Sequence, residues 1–172
     1  PTLEVDVCTE SGARGRAQVP SGRSTGRREA FELRDGGGRY AGRGVKKAVS
    51  NVNRLIGPRL LGVDSAKQRE IDSLMLALDG TENLSKLGAN AVVGVSMAAA
   101  CAAAAHLNVP LYRYLGGVGA CVLPIPLLNV IGGGRLAAID LEIQECILMP
   151  VGADSFSEAI RMSAEVYYEL GG

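Results

Sequence analysis

Short stretches of alternating apolar and polar residues open the chain. In residues 2–8, leucine and valine fall on one side and polar or acidic residues on the other. The same alternation recurs in residues 14–19 and 29–34. Because successive side chains of a strand point to opposite faces, each stretch is predicted to be a half-buried strand. Three short strands in succession predict a three-stranded antiparallel meander.

The apolar positions then change to helical spacing. Residues 45–56 carry apolar side chains three and four positions apart, and the Gly-Pro pair that follows is predicted to end this helix. Ser65 and Gln68 have the spacing of a capping box at the start of another helix. An alanine-rich helix is predicted over 89–107. Strands followed by helices indicate an α+β domain over residues 1–115.

A second set of elements follows a glycine-rich stretch at 115–121, which is a candidate domain boundary. Apolar runs at 122–131 and 141–149 are typical of strands. A further capping box begins at Ser155, and the residues after it carry the apolar stripe of a helix. Residues 116–172 are therefore expected to form two strands and a helix of a second domain.

Charge is balanced over the chain but unevenly distributed. The formal net charge is zero, which gives no reason to expect nucleic-acid or membrane binding. Residues 1–60 nevertheless carry twelve basic and six acidic side chains, and residues 61–172 carry the reverse. The basic half, rich in arginine, could attract phosphate or carboxylate groups, although a solvated basic face is the simpler interpretation.

The cysteines do not predict a metal site, and the longest apolar run does not predict a membrane span. The four cysteines have no C-x-x-C spacing and the chain has one histidine, so a zinc site is a poor interpretation. Reduced thiols and the absence of a recognisable signal segment favour the cytoplasm. Residues 91–107 are mostly alanine and fall short of a membrane span, so a buried helix is expected there.

The first candidate for chemistry is the loop over residues 19–26. Its glycines allow a tight turn or close approach to a ligand, and its hydroxyls, including that of Ser24, are potential ligands of an anion or of magnesium. It does not fit the phosphate-binding pattern G-x-x-x-x-G-K-[ST]. Taken alone, the loop favours a structural turn over a site.

Two further candidates lie in the second set of elements. Gln144 and Glu145 stand in an apolar strand, where a carboxylate must be paired or functional; a salt bridge and a site are equally good interpretations. Alternation places the two side chains on opposite faces unless the strand ends or bulges there. The glycines at 132–134 could cradle a phosphate through backbone N–H groups, but a flexible loop is favoured.

The sequences of several segments, and their order along the chain, are a more specific signal than any one candidate site. PSGRSTG, EAFELRDG, DGTENLSKLGANAVVG, PLYRYLGG and QECILMPVGA occur in this order along the chain. Together they resemble the enolase family over essentially all 172 residues. The resemblance implies an enolase N-terminal α+β domain over 1–115, and the first strands and helix of an enolase-type β/α barrel over 116–172, truncated at both ends.

The resemblance also implies an activity and its cofactor. Enolases interconvert 2-phosphoglycerate and phosphoenolpyruvate with magnesium, through an enolate intermediate that metal ions stabilise. Ser24 matches the lid-loop serine that binds the second magnesium. Glu145 matches a catalytic glutamate near the leaving hydroxyl, and Gln144 matches its substrate-contacting neighbour. A cytoplasmic homodimer without a membrane span is implied for the whole protein.

Departures from the family pattern leave an alternative open. Leu136 stands where the family has a substrate-contacting histidine, and Gly132 stands where it has an asparagine. Arg23, Arg27 and Arg28 are unusual beside the lid loop. An enolase-like paralogue or fragment that binds or scaffolds without catalysis is the competing interpretation. The family's acidic metal ligands, base lysine and acid glutamate correspond to no residue here, so the 172-residue chain alone is predicted to be inactive.

Overall fold

The computed structural model describes residues 1–22, 26–134 and 142–171. Two compact units divide the chain, Pro1–Ala120 and Cys121–Gly172. The first unit contains β1 (Leu3–Cys8), β2 (Arg14–Val19), a short 3₁₀ turn (Arg39–Gly42), α1 (Lys46–Asn51), a π-helical segment (Val52–Ile56), α2 (Gly57–Leu60), α3 (Gln68–Asp79), α4 (Ala89–His106) and α5 (Leu111–Gly116). The second contains β3 (Leu128–Gly132), β4 (Glu145–Leu148) and α6 (Phe156–Gly171).

The long helix α4 is the centre of the first unit. The antiparallel pair of β1 and β2 packs on it, and its alanines allow the backbones to approach closely. By length and composition α4 could cross a membrane, but 61% of its residues are buried inside the protein. The predicted core helix is therefore confirmed. The largest fully buried apolar side chains of this unit are Leu3, Ile56, Met75 and Leu87.

The prediction of a third strand over 29–34 is not confirmed, since among the described residues the sheet of β1 and β2 has two strands. The backbone of this segment is bonded elsewhere. The Phe31 N–H donates to the Asn83 carbonyl at 2.7 Å, and the Phe31 carbonyl accepts from the Ala89 N–H at 2.8 Å. The side chain of Asn90 bonds both backbone groups of Leu33. A buried side-chain amide and the start of α4 thus take the place of a neighbouring strand.

Two predicted helix boundaries are wrong. Gly57 and Pro58 do not end the helix, because the wider π-helical turn before them accommodates the proline and the chain continues helically to Leu60. Ser65 does not cap α3, which begins at Gln68 without a side-chain cap. The predicted capping box at Ser155 is confirmed, since the Ser155 hydroxyl accepts from the Glu158 N–H at 3.2 Å.

In the part that the structure describes, the second unit is a small sheet with one helix. β3 and β4 are antiparallel, with Leu128 opposite Leu148 and Gly132 opposite Glu145, and a bulge interrupts the register between Asn129 and Ile131. Many of its large apolar side chains are exposed, because β3, β4 and α6 do not enclose them. This unit therefore presents an apolar surface as well as the polar end of its sheet.

Candidate functional site

Two of the sequence candidates meet at one end of the β3–β4 sheet. Gly132 is the last residue of β3 and lies opposite Glu145, the first residue of β4. The Gly133 N–H donates to the Gln144 carbonyl at 2.7 Å, which extends the pairing by one step. The glycines, interpreted from sequence as a flexible loop, are thus held against the strand that carries the candidate carboxylate.

Gly134 approaches Gln144 closely. Its backbone has a φ of 70°, which L side chains rarely adopt, and a Cβ there would lie 3.3 Å from the Gln144 Cα. A larger residue would be strained and would press on Gln144. From the sequence alone these glycines are interpreted as a phosphate cradle or a loop, and no periodic signal along the chain indicates their position beside Gln144.

The side chains of Gln144 and Glu145 are both exposed. Gln144 precedes β4 and Glu145 begins it, so the pair lies where the strand starts. No salt bridge involves Glu145 among the described residues. The carboxylate is therefore accessible to a ligand, and the amide beside it can donate and accept hydrogen bonds.

The remaining sequence candidates belong to residues that the structure does not describe or that flank them. Ser24 and its neighbour Arg23 lie outside the described residues, as does Leu136. Gly22 and Gly26, on either side of residues 23–25, are exposed, and the Gly26 carbonyl accepts from the Glu29 N–H at 3.4 Å. Arg27 and Arg28 are exposed as well.

The described donors suit a hard cation but do not form a complete site. Carboxylate and amide oxygens, such as those of Glu145 and Gln144, are the ligands that magnesium prefers. Across residues 1–22, 26–134 and 142–171, no group of three or more His, Cys, Asp or Glu side chains is arranged to hold a metal ion. The oxygen chemistry fits magnesium, and further ligands are needed to hold it.

The comparisons with known proteins agree on one family. Residues 1–115 match the family model described as "Enolase, N-terminal domain", and residues 120–172 match "Enolase, C-terminal TIM barrel domain". The chain is 62% identical over 171 residues to the enolase of Methanothrix thermoacetophila and 62% identical over 170 residues to that of Pyrococcus furiosus. It is 59% identical over 170 residues to the enolase of Thermococcus kodakarensis.

Each of these alignments covers 99% of the chain but only 39–40% of the relative. The chain thus spans about two fifths of the length of the curated relatives it matches. Two adjacent family matches cover nearly all of it, and the resemblance noted in its motifs agrees with both. The chain belongs to the enolase family.

Proposed function

We propose that this chain is part of an enolase (phosphopyruvate hydratase), a lyase of glycolysis and gluconeogenesis. The reaction is the magnesium-dependent, reversible dehydration of 2-phospho-D-glycerate to phosphoenolpyruvate. The observation that carries the proposal is the exposed Gln144–Glu145 pair, held against the glycines of β3 in a chain that is 59–62% identical to enolases. Residues 1–115 would be the N-terminal domain and 116–172 the start of the barrel.

The chemistry of the reaction assigns roles to these residues. Loss of water requires removal of a proton next to a carboxylate and departure of a hydroxyl. A carboxyl group such as that of Glu145 can hold or transfer a proton at the leaving hydroxyl. The Gln144 amide can orient the substrate through hydrogen bonds. Gly134 leaves Gln144 its space, because a Cβ at this position would lie 3.3 Å from the Gln144 Cα.

Magnesium, when bound, would stabilise the enolate that forms as the proton leaves. Ser24 would contribute its hydroxyl oxygen to the second ion, and this role rests on its match to the family loop. The other ligands would come from parts of an enolase to which this chain has no counterpart. A cytoplasmic homodimer is proposed for the whole protein, on the same family grounds.

A chimera tests the proposal. Residues 1–172 would replace the matching segment of the Methanothrix thermoacetophila enolase, which supplies the remaining three fifths of its own length. With magnesium, the chimera is expected to form phosphoenolpyruvate from 2-phosphoglycerate, measured by ultraviolet absorbance. The 172-residue chain alone is expected to show no activity above a tag-only control.

The alternative function, binding without catalysis, predicts a different pattern. A folded chimera without activity, restored by Leu136→His, would show that this chain carries an inactivated site. A folded chimera without activity that Leu136→His does not restore would contradict the proposal. Activity of the 172-residue chain alone would contradict the division of the site between this chain and the rest of the barrel.

A further inference from the structure

One polar side chain interrupts the apolar run that forms β3. Asn129 is the second residue of this strand and stands between Leu128 and Val130. Asparagine is depleted in strands, because its side-chain amide competes for the hydrogen bonds of the backbone. A residue that breaks a local preference of this kind is expected where a functional requirement overrides it. The register of the sheet indicates what that requirement is.

A β-bulge determines which face of the sheet Asn129 occupies. β3 advances two residues, from Asn129 to Ile131, while β4 advances one, so that Val130 is an extra residue. In an unbroken strand, Asn129 and Gly132 would lie on opposite faces, because they are three positions apart. The bulge changes this relation and places both residues on the same face.

The face that Asn129 shares is the one that carries Glu145. Gly132 lies opposite Glu145, and Asn129 lies opposite Ile147. Side chains of directly opposite residues share a face of the sheet, so all four residues belong to one face. Their exposure agrees with this, because all four are exposed and the β4 residues of the other face are only partly exposed. Asn129 is therefore a polar group that β3 contributes to the Glu145 face.

Open space lies beside Glu145 on β3. The residue directly opposite it is Gly132, and among the described residues nothing lies within 4 Å of a Cβ built there. Asn129 is the diagonal neighbour of Glu145 across the two strands. Diagonal neighbours are about 7–8 Å apart, which is within reach of long side chains. The Asn129 amide and the Glu145 carboxyl group can therefore meet over the glycine.

An amide suits a neighbour that gains and loses a proton. A carboxyl group that transfers a proton alternates between an ionised form, which only accepts hydrogen bonds, and a protonated form, which also donates one. The Asn129 amide has N–H donors and a carbonyl acceptor, so it can bond to either form. A lysine or arginine would favour the ionised form, and an aspartate would repel it.

We propose that Asn129 is a positioning residue, whose side-chain amide bonds to the Glu145 carboxyl group and holds it in the orientation needed for proton transfer at the leaving hydroxyl. This role rests on the proposed function, because Asn129 acts through Glu145. Three features then have one purpose: the asparagine in an apolar strand, the bulge that directs it to this face, and the glycine opposite Glu145.

A double-mutant cycle in the chimera tests the role of Asn129. Asn129→Leu keeps the approximate size of the side chain, removes its hydrogen-bonding groups, and is expected to lower kcat about tenfold with KM within about twofold. In the Glu145→Gln background, the same change is expected to alter kcat by less than about twofold, because the group that Asn129 positions is already absent. In the background of the exposed Glu142→Gln, the matched control, the loss is again about tenfold.

Equal loss of kcat in all three backgrounds would overturn the proposal, because Asn129 would then act independently of Glu145. A raised KM with unchanged kcat would overturn it in favour of direct contact with the substrate, and unchanged kinetics would show that Asn129 only faces solvent. Where Asn129→Leu fails to fold, Asn129→Ala takes its place in the cycle. A folded chimera that is inactive even with Leu136→His would contradict the proposed function, and the role of Asn129 with it.

Discussion

A single buried carboxylate organises the turn between α3 and α4. Asp79 is 2% exposed, and its Oδ2 accepts from the Leu87 N–H at 2.6 Å. Its Oδ1 accepts from both the N–H and the hydroxyl of Thr81. Burial raises the pKa of this carboxyl, but hydrogen bonds from Thr81 and from the N–H groups of Leu87 and Lys86 outweigh burial, so the pKa lies below its ordinary value of 3.8.

Asp79→Asn is therefore expected to destabilise the chain by about 1–3 kcal/mol at neutral pH, because an amide group cannot accept all these bonds. A lowered pKa means that the stabilisation is complete above the ordinary pKa and is lost as pH falls through the folded-state value. Urea unfolding followed by circular dichroism checks this, with the exposed Glu82→Gln as control. A difference from the wild type that persists unchanged well below pH 3.8 would contradict it.

The role of an individual residue could be predicted from the sequence only where residues close to it along the chain determine that role. The polar pair at 144–145 could be singled out because a carboxylate in an apolar strand must be paired or functional. The roles of Asn90 and Gly134 could not be foreseen, since each bonds or contacts a segment distant in sequence. A side-chain amide that replaces a strand partner leaves no periodic signal along the chain.

At the scale of elements, periodicity predicted most helices and strands of the first unit, and the order of the strands predicted the antiparallel pairing of β1 with β2, but not the partners of residues 29–34. Residues 29–34 alternate as a strand does, yet their hydrogen bonds go to Asn83 and to the start of α4. Alternation predicts which side chains share a face of a strand, and it reports neither their burial nor what the backbone bonds to: Phe31 is 46% exposed. The π-helical segment was equally hidden, because its apolar spacing resembles that of an ordinary helix.

The contact of β2 with α4 depends on glycine at position 15, which has no side chain. A Cβ at Gly15 would lie 2.1 Å from the Ala98 carbonyl oxygen and 2.2 Å from the Ala102 nitrogen. Gly15→Ala must push the strand off the helix and is expected to cost about 3 kcal/mol or more in unfolding free energy. Gly119→Ala, where nothing lies within 4 Å, is the control and should change stability little. Equal stability of the two variants in urea would show that this contact is not tight.

At the scale of the whole molecule, the unit after Ala120 exposes much of its apolar surface. Val122 is 90% exposed, Val151 71% and Tyr168 75%. Exposed patches of this kind favour association. The 172-residue chain is expected to self-associate with rising concentration, while a shortened chain of residues 1–120 does so less, as measured by light scattering after size exclusion. A full chain that stays monomeric with a cooperative thermal transition would contradict this.

A pair of variants distinguishes the proposed place of Glu145 in an enolase active site from the role of an ordinary exposed carboxylate. In the chimera, Glu145→Gln removes the carboxylate at the exposed end of β4, and Glu142→Gln makes the same change three residues earlier. We predict that Glu145→Gln lowers kcat for phosphoenolpyruvate formation about 100-fold or more, the usual effect of losing an acid–base group, and that Glu142→Gln leaves it within about twofold. Equal activity of the two folded variants would contradict a role for Glu145 in the active site.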